Sequence, residues 1–505
     1  MSITGPGSIT AANVTAQTNM MNQLNTFSEE LGTGQAAQTY SDLGPQAGVV
    51  VALGAQLSQL NGYSTTATTV GTTLSIAQSV LSALGSTGSD VQQAINQQGA
   101  FSLDGTGQTA VQESAASYLD QILSLLNTQV GGSYIFSGSA VNQPSVASTA
   151  AILNGTGAQA GLTQLIAQRQ EADLGSGLGR LSVAVTGAGS NVVTVSQDGS
   201  PFGFQLASVN SSLTGATVSG PSGSPASLSV DFTSNPNPGD SIAFNLTLPD
   251  GSSQTITLQA TANSPPGTNQ FTIGATPADT AANLQTALTS AIGNLAQTAL
   301  PAASAIAAAD DFFNSDPPQI VNPGSPPDYA TAMSLENGTP ANTVFWYTGE
   351  NGSTPALQTA TAEVGPGTTI AYGMRATEQG IATLVANVAA LAATTYSPSN
   401  PNAQASYQAL CQSVAANLSG PPGVQTIGDI EANIANAQTT VQSATKLNTQ
   451  TQNTLQDMLQ GIDGVNQTQI GEDILTLQNN LSASMSVTAR LAQLSLVNYL
   501  GPATG

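Results

Sequence analysis

Apolar and small side chains recur near the C-terminal end of the chain at alternating steps of three and four residues. The positions in this stripe are Ile427, Ile430, Ile434, Ala437, Val441, Ala444, Asn448, Thr451, Leu455, Met458 and Ile462. Such spacing is typical of the seam along which α-helices pack as a coiled coil. We therefore predict a long helix over residues 427–462 that packs against another helix.

Three further stripes with the same spacing occur, one near the C-terminus and two in the N-terminal part of the chain. Gly461 and Gly464 separate the C-terminal one from the stripe over residues 427–462. Their positions are Ile470, Ile474, Leu477, Leu481, Ser484, Thr488, Leu491 and Ser495, then Met20, Leu24, Phe27 and Leu31, and finally Val70, Leu74, Ala77, Leu81 and Leu84. A long helix cannot bury its own apolar stripe, so the other end of the chain or a neighbouring chain has to cover it. This logic is that of a polymerising rod and not of an enzyme.

The middle of the chain changes to a period of two, which predicts β-strands. Alternating apolar positions occur at Leu181–Val185, Val193–Val195, Leu228–Phe232, Ile242–Leu248, Ile256–Leu258 and Phe271–Ile273. Pro249, Asp250 and Gly251 predict a tight turn between two of these strands, because proline presets φ and glycine accepts positive φ. Thr276, Pro277 and Asp279 then have the types expected at a helix N-terminus. We expect a self-contained β-rich module that ends in a helix.

Other patterns complete a division into six segments. We predict helices over about 8–31, 48–98, 108–130, 373–395 and 402–418, a strand over 133–137 and a small β element at 344–347. The segments are residues 1–45 (inner assembly helix and loop), 46–180 (helical core), 181–300 (β-rich inserted outer domain), 301–400 (irregular segment with a return helix), 401–463 (C-terminal core helix) and 464–505 (C-terminal inner assembly helix).

The charge balance excludes some partners. The chain has 28 acidic and 5 basic residues, a net charge of −23, and only 7% of its residues are charged. It cannot neutralise phosphates, so we expect neither nucleic acid nor an anionic membrane surface as a partner. No run of eighteen apolar residues exists and the N-terminus lacks the features of a secretory signal, so we expect export without a cleaved signal peptide.

The residue types also argue against catalysis and metal binding. Histidine is absent, which removes the commonest general base and zinc ligand. The adjacent carboxylates Asp310 and Asp311 are interpreted as a solvated helix end, and the single Cys411 as a buried structural thiol. Arg375 and Glu378 are spaced as an i,i+3 surface pair. For Arg490 we expect a contact to an acidic neighbour. We predict no catalytic residues, no cofactor and no metal.

Four stretches carry a resemblance to a known family. They are residues 24–44 (LNTFSEELGTGQAAQTYSDLG), 131–138 (GGSYIFSG), 372–393 (YGMRATEQGIATLVANVAALAA) and 494–500 (LSLVNYL). In this order they resemble the bacterial flagellins and, within them, the junction proteins between hook and filament. The resemblance covers roughly the two terminal thirds and the module around residues 228–300.

This resemblance implies a fold, an assembly and a location. The fold would be α+β and multidomain: an elongated rod of long antiparallel terminal helices with a coiled-coil core and a β-rich inserted outer domain. Family members are exported through the flagellar type III apparatus and polymerise outside the cell. The implied partners are copies of the chain itself, the hook-side junction protein, flagellin and an export chaperone. The implied role is a structural subunit that adapts the hook to the filament.

The stripes and the resemblance together predict the residues of subunit assembly. These are Met20, Leu24, Phe27, Leu31, Ile470, Ile474, Leu477, Leu481, Leu491, Leu494, Leu496, Val497, Tyr499 and Leu500. Two other functions remain open at this point. A filament flagellin would share the helical core, and a secreted adhesive appendage subunit would use the outer domain to bind a surface.

Overall fold

The computed structural model describes residues 6–36, 39, 43–420 and 423–499, with side chains for 11–36, 39, 43–420, 423–462 and 464–490. The helices are α1 (Pro6–Thr33), α2 (Ala47–Asn96), α3 (Ala110–Leu126), α4 (Thr149–Asn154), α5 (Leu162–Leu174), α6 (Pro277–Phe313), α7 (Gln379–Ala393), α8 (Ala403–Leu418), α9 (Ile427–Asp463) and α10 (Gln467–Tyr499). The predicted helices at both ends of the chain are therefore confirmed.

The strands are mostly confined to the middle of the chain. They are β1 (Gln129–Val130), β2 (Ser133–Tyr134), β3 (Leu181–Thr186), β4 (Val192–Gln197), β5 (Gln205–Ser211), β6 (Ala216–Ser222), β7 (Ser227–Phe232), β8 (Ser241–Thr247), β9 (Ser253–Thr261), β10 (Gln270–Thr272), β11 (Gln319–Asn322), β12 (Ser334–Asn337), β13 (Thr361–Gly365) and β14 (Thr368–Ala371). The α+β fold class predicted from the sequence is thus confirmed, with long terminal helices and a β-rich region between them.

The chain forms two compact units. The terminal unit consists of residues 1–69, 363–369 and 440–505, and the central unit of residues 70–362 and 370–439. Each unit has its own core, and each is described separately below. The six segments predicted from the sequence remain a prediction.

The β-rich part of the central unit contains two four-stranded sheets, ordered β3-β4-β7-β6 and β10-β9-β8-β5. Neighbouring strands are antiparallel except β10, which runs parallel to β9. The predicted turn at 249–251 joins β8 to β9, where Gly251 has φ +79°. Alternate side chains of the strands point inward, so Phe232, Phe244 and Phe271 are fully buried in one core.

Helix α6 links this core to the helical part of the central unit. Thr276 and Asp279 form a complete capping box at its start, as predicted. Leu284, Leu288 and Ile292 pack into the core of the sheets. The helix then continues through Pro301, whose carbonyl oxygen accepts a hydrogen bond from Gln170 Nε2 at 3.0 Å.

Helices α5, α7 and α8 pack against α6, and α3 packs against α7. Helix α7 is buried on nearly every side, which matches its apolar composition all round the helix axis. The predicted stripe on α2 is confirmed, since all of its members are buried. These are Val70, Leu74, Ala77, Leu81 and Leu84.

Two sequence predictions about strands are wrong in detail. Residues 344–347 form one isolated bridge, between Tyr347 and Val146, instead of a small β element, and the side chains of Trp346 and Tyr347 are buried in the core. The strand expected over 133–137 is the two-residue β2, which pairs with β1.

None of the helices in the described part of the chain is both long and apolar enough to cross a lipid bilayer.

Candidate assembly interface

Helices α1 and α10 pack against each other in the terminal unit. On α10, a face with alternating steps of four and three residues is less exposed than the rest of the helix. Its members are Ile470, Ile474, Leu477, Leu481, Ser484 and Thr488. Ile470 is buried, and the others are half-buried. The predicted stripe on α10 therefore faces a helix partner over these residues.

The matching face of α1 has the same period. Its half-buried positions are Asn13, Gln17, Met20, Leu24, Phe27 and Glu30. Leu31, which the sequence pattern placed on this face, is 38% exposed, and Glu30 takes the half-buried position. A pair of helices has one shared seam, so the opposite sides of both helices are open to solvent.

A polar layer interrupts the seam. Gln17 Nε2 donates hydrogen bonds to Thr488 Oγ1 at 2.9 Å and to Ser484 Oγ at 3.3 Å. Near the other end of α1, Gln35 forms an antiparallel bridge with Gly464. These two contacts show that α1 and α10 run antiparallel. Because a polar group in an apolar seam is satisfied in one register only, the Gln17 cluster defines the register of the pair.

Helices α2 and α9 form the other core of the terminal unit. Leu53 and Leu60 of α2 pack with Leu455 of α9. The predicted stripe on α9 is correct up to Asn448, which is buried and donates to the carbonyl oxygen of Val364 at 2.8 Å.

Beyond Asn448 the prediction on α9 is correct for Leu455 and Ile462 and wrong by one position in the other two places. Thr451 and Met458 are exposed, and Gln452 and Leu459 lie on the inner face instead. A straight α-helix has 3.6 residues per turn, so a strict 3.5-residue stripe drifts around it until one step of four restores the contact.

Many large apolar side chains of the terminal unit remain exposed. They are Val14, Met21, Leu31, Val49, Val51, Leu447, Met458, Leu475, Met485 and Val487. Within the described residues, Met333 is the corresponding exposed side chain of the central unit. A concentration of exposed apolar side chains is typical of a surface that binds another protein. Most of these positions lie outside the inner stripe of each helix, so the 3,4 spacing in the sequence does not reveal them.

The fourteen predicted assembly residues fall into three groups. Met20, Leu24, Phe27, Ile470, Ile474, Leu477 and Leu481 lie in the α1–α10 seam, and Leu31 is at its edge. Leu491, Leu494, Leu496, Val497 and Tyr499 lie in α10, but their side chains are outside the described set, and Leu500 lies outside the described residues. Their role in subunit assembly remains a prediction.

The central unit holds three of the five cations in buried ion pairs. Arg375 is 8% exposed and donates from Nε to Glu350 Oε2 at 3.0 Å. It also donates to the carbonyl oxygens of Gly352 and Thr354, both at 2.8 Å. The predicted surface pair with Glu378 is therefore wrong, because Arg375 precedes α7 and points into the fold. Burial raises the pKa of Glu378 to about 7.

Asp310 and Asp311 differ in environment. Asp310 is exposed at the end of α6, but Asp311 pairs with Arg169, which also contacts the fully buried Asp173 at 3.0 Å. Burial raises the pKa of Asp311 to about 6. The expectation of a solvated pair is correct for Asp310 and wrong for Asp311. The third buried pair joins Arg180 to Asp198, again at 3.0 Å.

A thiol and a cavity are the other features of the central unit that could carry chemistry. Cys411 is buried on α8, as expected, and burial raises the pKa of its thiol to about 11, so the reactive thiolate is disfavoured. A cavity of about 630 Å³ lies beside the end of α6, and Asp310, Asp311 and Trp346 line it. No cluster of three or more histidine, cysteine, aspartate or glutamate side chains suited to a metal ion occurs among the described residues.

Comparison with known protein families finds a match in the N-terminal part of the chain. Residues 8–141 match the family described as bacterial flagellin N-terminal helical region. This range includes all but the first two residues of α1, and all of α2, α3 and the β1–β2 hairpin. The match covers 134 of the 505 residues, so the similarity to bacterial flagellins is shown for this part of the chain. No curated protein matches the chain at a significant level.

Proposed function

We propose that this protein is a structural subunit of the bacterial flagellum that self-assembles through α1 and α10. The observation that carries the proposal is the coincidence of two features in one region. Residues 8–141 match the flagellin N-terminal helical region, and the α1–α10 pair leaves large apolar side chains in water. The proposed role is structural and not enzymatic, and its site is the extracellular flagellum.

The driving force for assembly follows from the exposed side chains. Val14 and Met21 are seven residues apart on α1, and Met485 adjoins Ser484, which contacts Gln17 midway between them. These side chains therefore surround one point of the helix pair. Each Å² of apolar surface removed from water contributes about 25 cal/mol, so burial of this group against other copies favours a polymer.

We further propose that the subunit is the hook–filament junction protein, also called hook-associated protein 3. The support is the resemblance of residues 372–393 and 494–500 to that subfamily. In this role the protein would contact the hook-side junction protein on one side and flagellin on the other. An export chaperone and the flagellar type III apparatus would deliver it, without a cleaved signal peptide.

The position and amount of the protein in purified flagella test the proposal. Sheared flagella are analysed by quantitative mass spectrometry, and gold-labelled antibodies locate the protein by electron microscopy. A trace amount in a band at the hook end is the expected result. Bulk amounts along the whole filament would contradict the junction role and identify a filament flagellin. Absence from flagella would overturn the flagellar function as a whole.

A further inference from the structure

The two cations of the terminal unit differ from the three of the central unit. Lys446 on α9 and Arg490 on α10 are exposed. Neither makes an ion pair with any residue that the structure describes. The chain has 28 acidic and 5 basic residues, so another copy offers many more carboxylates than cations as partners for an exposed cation.

Arg490 shares one side of α10 with a carboxylate. Glu472 precedes it by eighteen residues, which is five whole turns at 3.6 residues per turn. Both side chains are exposed, whereas the seam positions Ile470 and Thr488 are turned toward α1. Glu472 and Arg490 therefore lie in line on the side of α10 that faces away from the seam.

The same side of α10 carries an apolar residue. Leu475 follows Glu472 by three residues and is 62% exposed, more than any other large apolar side chain described in the terminal unit. We call Glu472, Leu475 and Arg490 the back face of α10. It combines a negative end, an apolar contact point and a positive end.

We propose that the back face of α10 is a contact between copies of this chain, in which Arg490 of one copy pairs with Glu472 of the next. The inference deepens the proposed self-assembly and rests on it. At 1.5 Å per residue, the two charges are about 27 Å apart along the helix. Parallel copies staggered by this distance bring opposite charges level, whereas unstaggered parallel copies bring like charges level. The charges thus set the axial stagger between neighbours.

The second copy fits this face better than other partners do. Charge complementarity requires a carboxylate for Arg490 and a cation for Glu472, and each copy supplies both at the required separation. A staggered parallel contact is also heterologous, so it extends into an open-ended row instead of closing a dimer. Such a contact suits a subunit that polymerises.

A charge swap in the full-length protein tests the contact. The variants are Arg490→Glu, Glu472→Arg and the double variant, and the readout is the critical concentration for polymer formation, measured by pelleting at 50 mM NaCl. We expect each single variant to raise it at least about tenfold, because like charges then meet, and the double variant to return within about threefold of the wild type. Within one helix the two charges are farther apart than the screening length of about 10 Å at 0.1 M salt, so a rescue arises between copies.

Lys446→Glu is the matched control, since it makes the same charge change on α9. Its critical concentration is expected to stay near that of the wild type, and circular dichroism checks that every variant keeps its helices. Equal effects of Lys446→Glu and Arg490→Glu, or failure of the double variant to rescue, would overturn the contact while leaving self-assembly intact. A wild-type protein that forms no polymer, or only a closed dimer, would instead refute the proposed self-assembly and this contact with it.

Discussion

The two units of the protein differ in how far their apolar side chains and cations are buried. In the central unit, apolar side chains are buried in cores and the three arginines are buried in ion pairs. In the terminal unit, helix pairs bury one stripe each and leave apolar side chains and both cations exposed. The central unit is complete within one chain. The surface of the terminal unit is that of a protein that needs neighbours.

Arg375 gives the largest expected effect on the central unit. Replacing it with methionine leaves Glu350 without its cation and frees two carbonyl oxygens, of Gly352 and Thr354. Loss of one partner of a buried ion pair costs about 3–5 kcal/mol. We expect the free energy of unfolding, measured by urea denaturation, to fall by this amount.

Lys446→Met is the comparison in the terminal unit. Lys446 is exposed and unpaired among the described residues, so the monomer should change by less than about 0.5 kcal/mol. Similar losses for the two variants would break the contrast between the cations of the two units.

Leucine truncations test the same contrast for apolar residues. Leu284 of α6 is fully buried, and Leu284→Ala should cost about 2–4 kcal/mol through lost burial and a cavity. Leu475→Ala on α10 removes an exposed side chain and should change the stability of the monomer by less than about 0.5 kcal/mol. Denaturation followed by circular dichroism measures both. A large loss for Leu475→Ala in dilute monomer would mean that the back face of α10 is covered within the chain.

Glu378 predicts a pH dependence of the central unit. Burial raises its pKa from 4.5 to about 7 in the folded state, so the fold binds this proton more tightly than the unfolded chain does. The contribution of Glu378 to stability is therefore complete below about pH 4.5 and is lost as the pH rises toward 7. We expect a loss of about 1–3 kcal/mol over this range, since one pKa unit corresponds to about 1.4 kcal/mol.

Urea midpoints between pH 4 and pH 8 measure this dependence. Glu378→Gln should reduce it, because the amide does not titrate, while the raised pKa of Asp311 leaves a smaller dependence in place. Glu113→Gln, a change at an exposed glutamate of α3, should leave it in place. A profile that Glu378→Gln does not alter would refute the assignment to Glu378.

The smallest expected effect is in the α1–α10 seam. Gln17→Ala removes the hydrogen bonds to Ser484 and Thr488, which together are worth about 1 kcal/mol net. We expect amide hydrogen exchange in α1 and α10 to become about fivefold faster. Gln23→Ala on the exposed side of α1 is the control and should not increase the rate. Unchanged exchange in Gln17→Ala would show that the polar layer does not hold the pair together.

Local patterns predicted most of the elements. The capping residues of α6, the turn before β9 and the stripe on α2 each depend on neighbouring residues, so the sequence was sufficient for them. The exposure of Thr451 and Met458 on α9 was not predictable from an ideal 3.5-residue repeat, because the helix adapts to the surface it packs on.

The contacts of the charged residues were less predictable. Arg375 pairs with Glu350, 25 positions earlier, and not with Glu378 nearby. Asp311 lies next to Asp310 but pairs with Arg169 of another helix. Both arginines were visible as rare cations in an acidic chain, but no local rule identifies a partner that the fold brings close.

The sequence by itself determined the helices, the strands and the family resemblance, because periodicity, caps and turns act over a few residues. The tertiary structure decided which faces are covered and which stay open. Ile474 and Leu475 are adjacent on α10, yet one lies half-buried against α1 and the other is largely exposed. Burial depends on where a partner helix lies, and that is a property of the folded chain and of its neighbours, not of the residue or its local pattern.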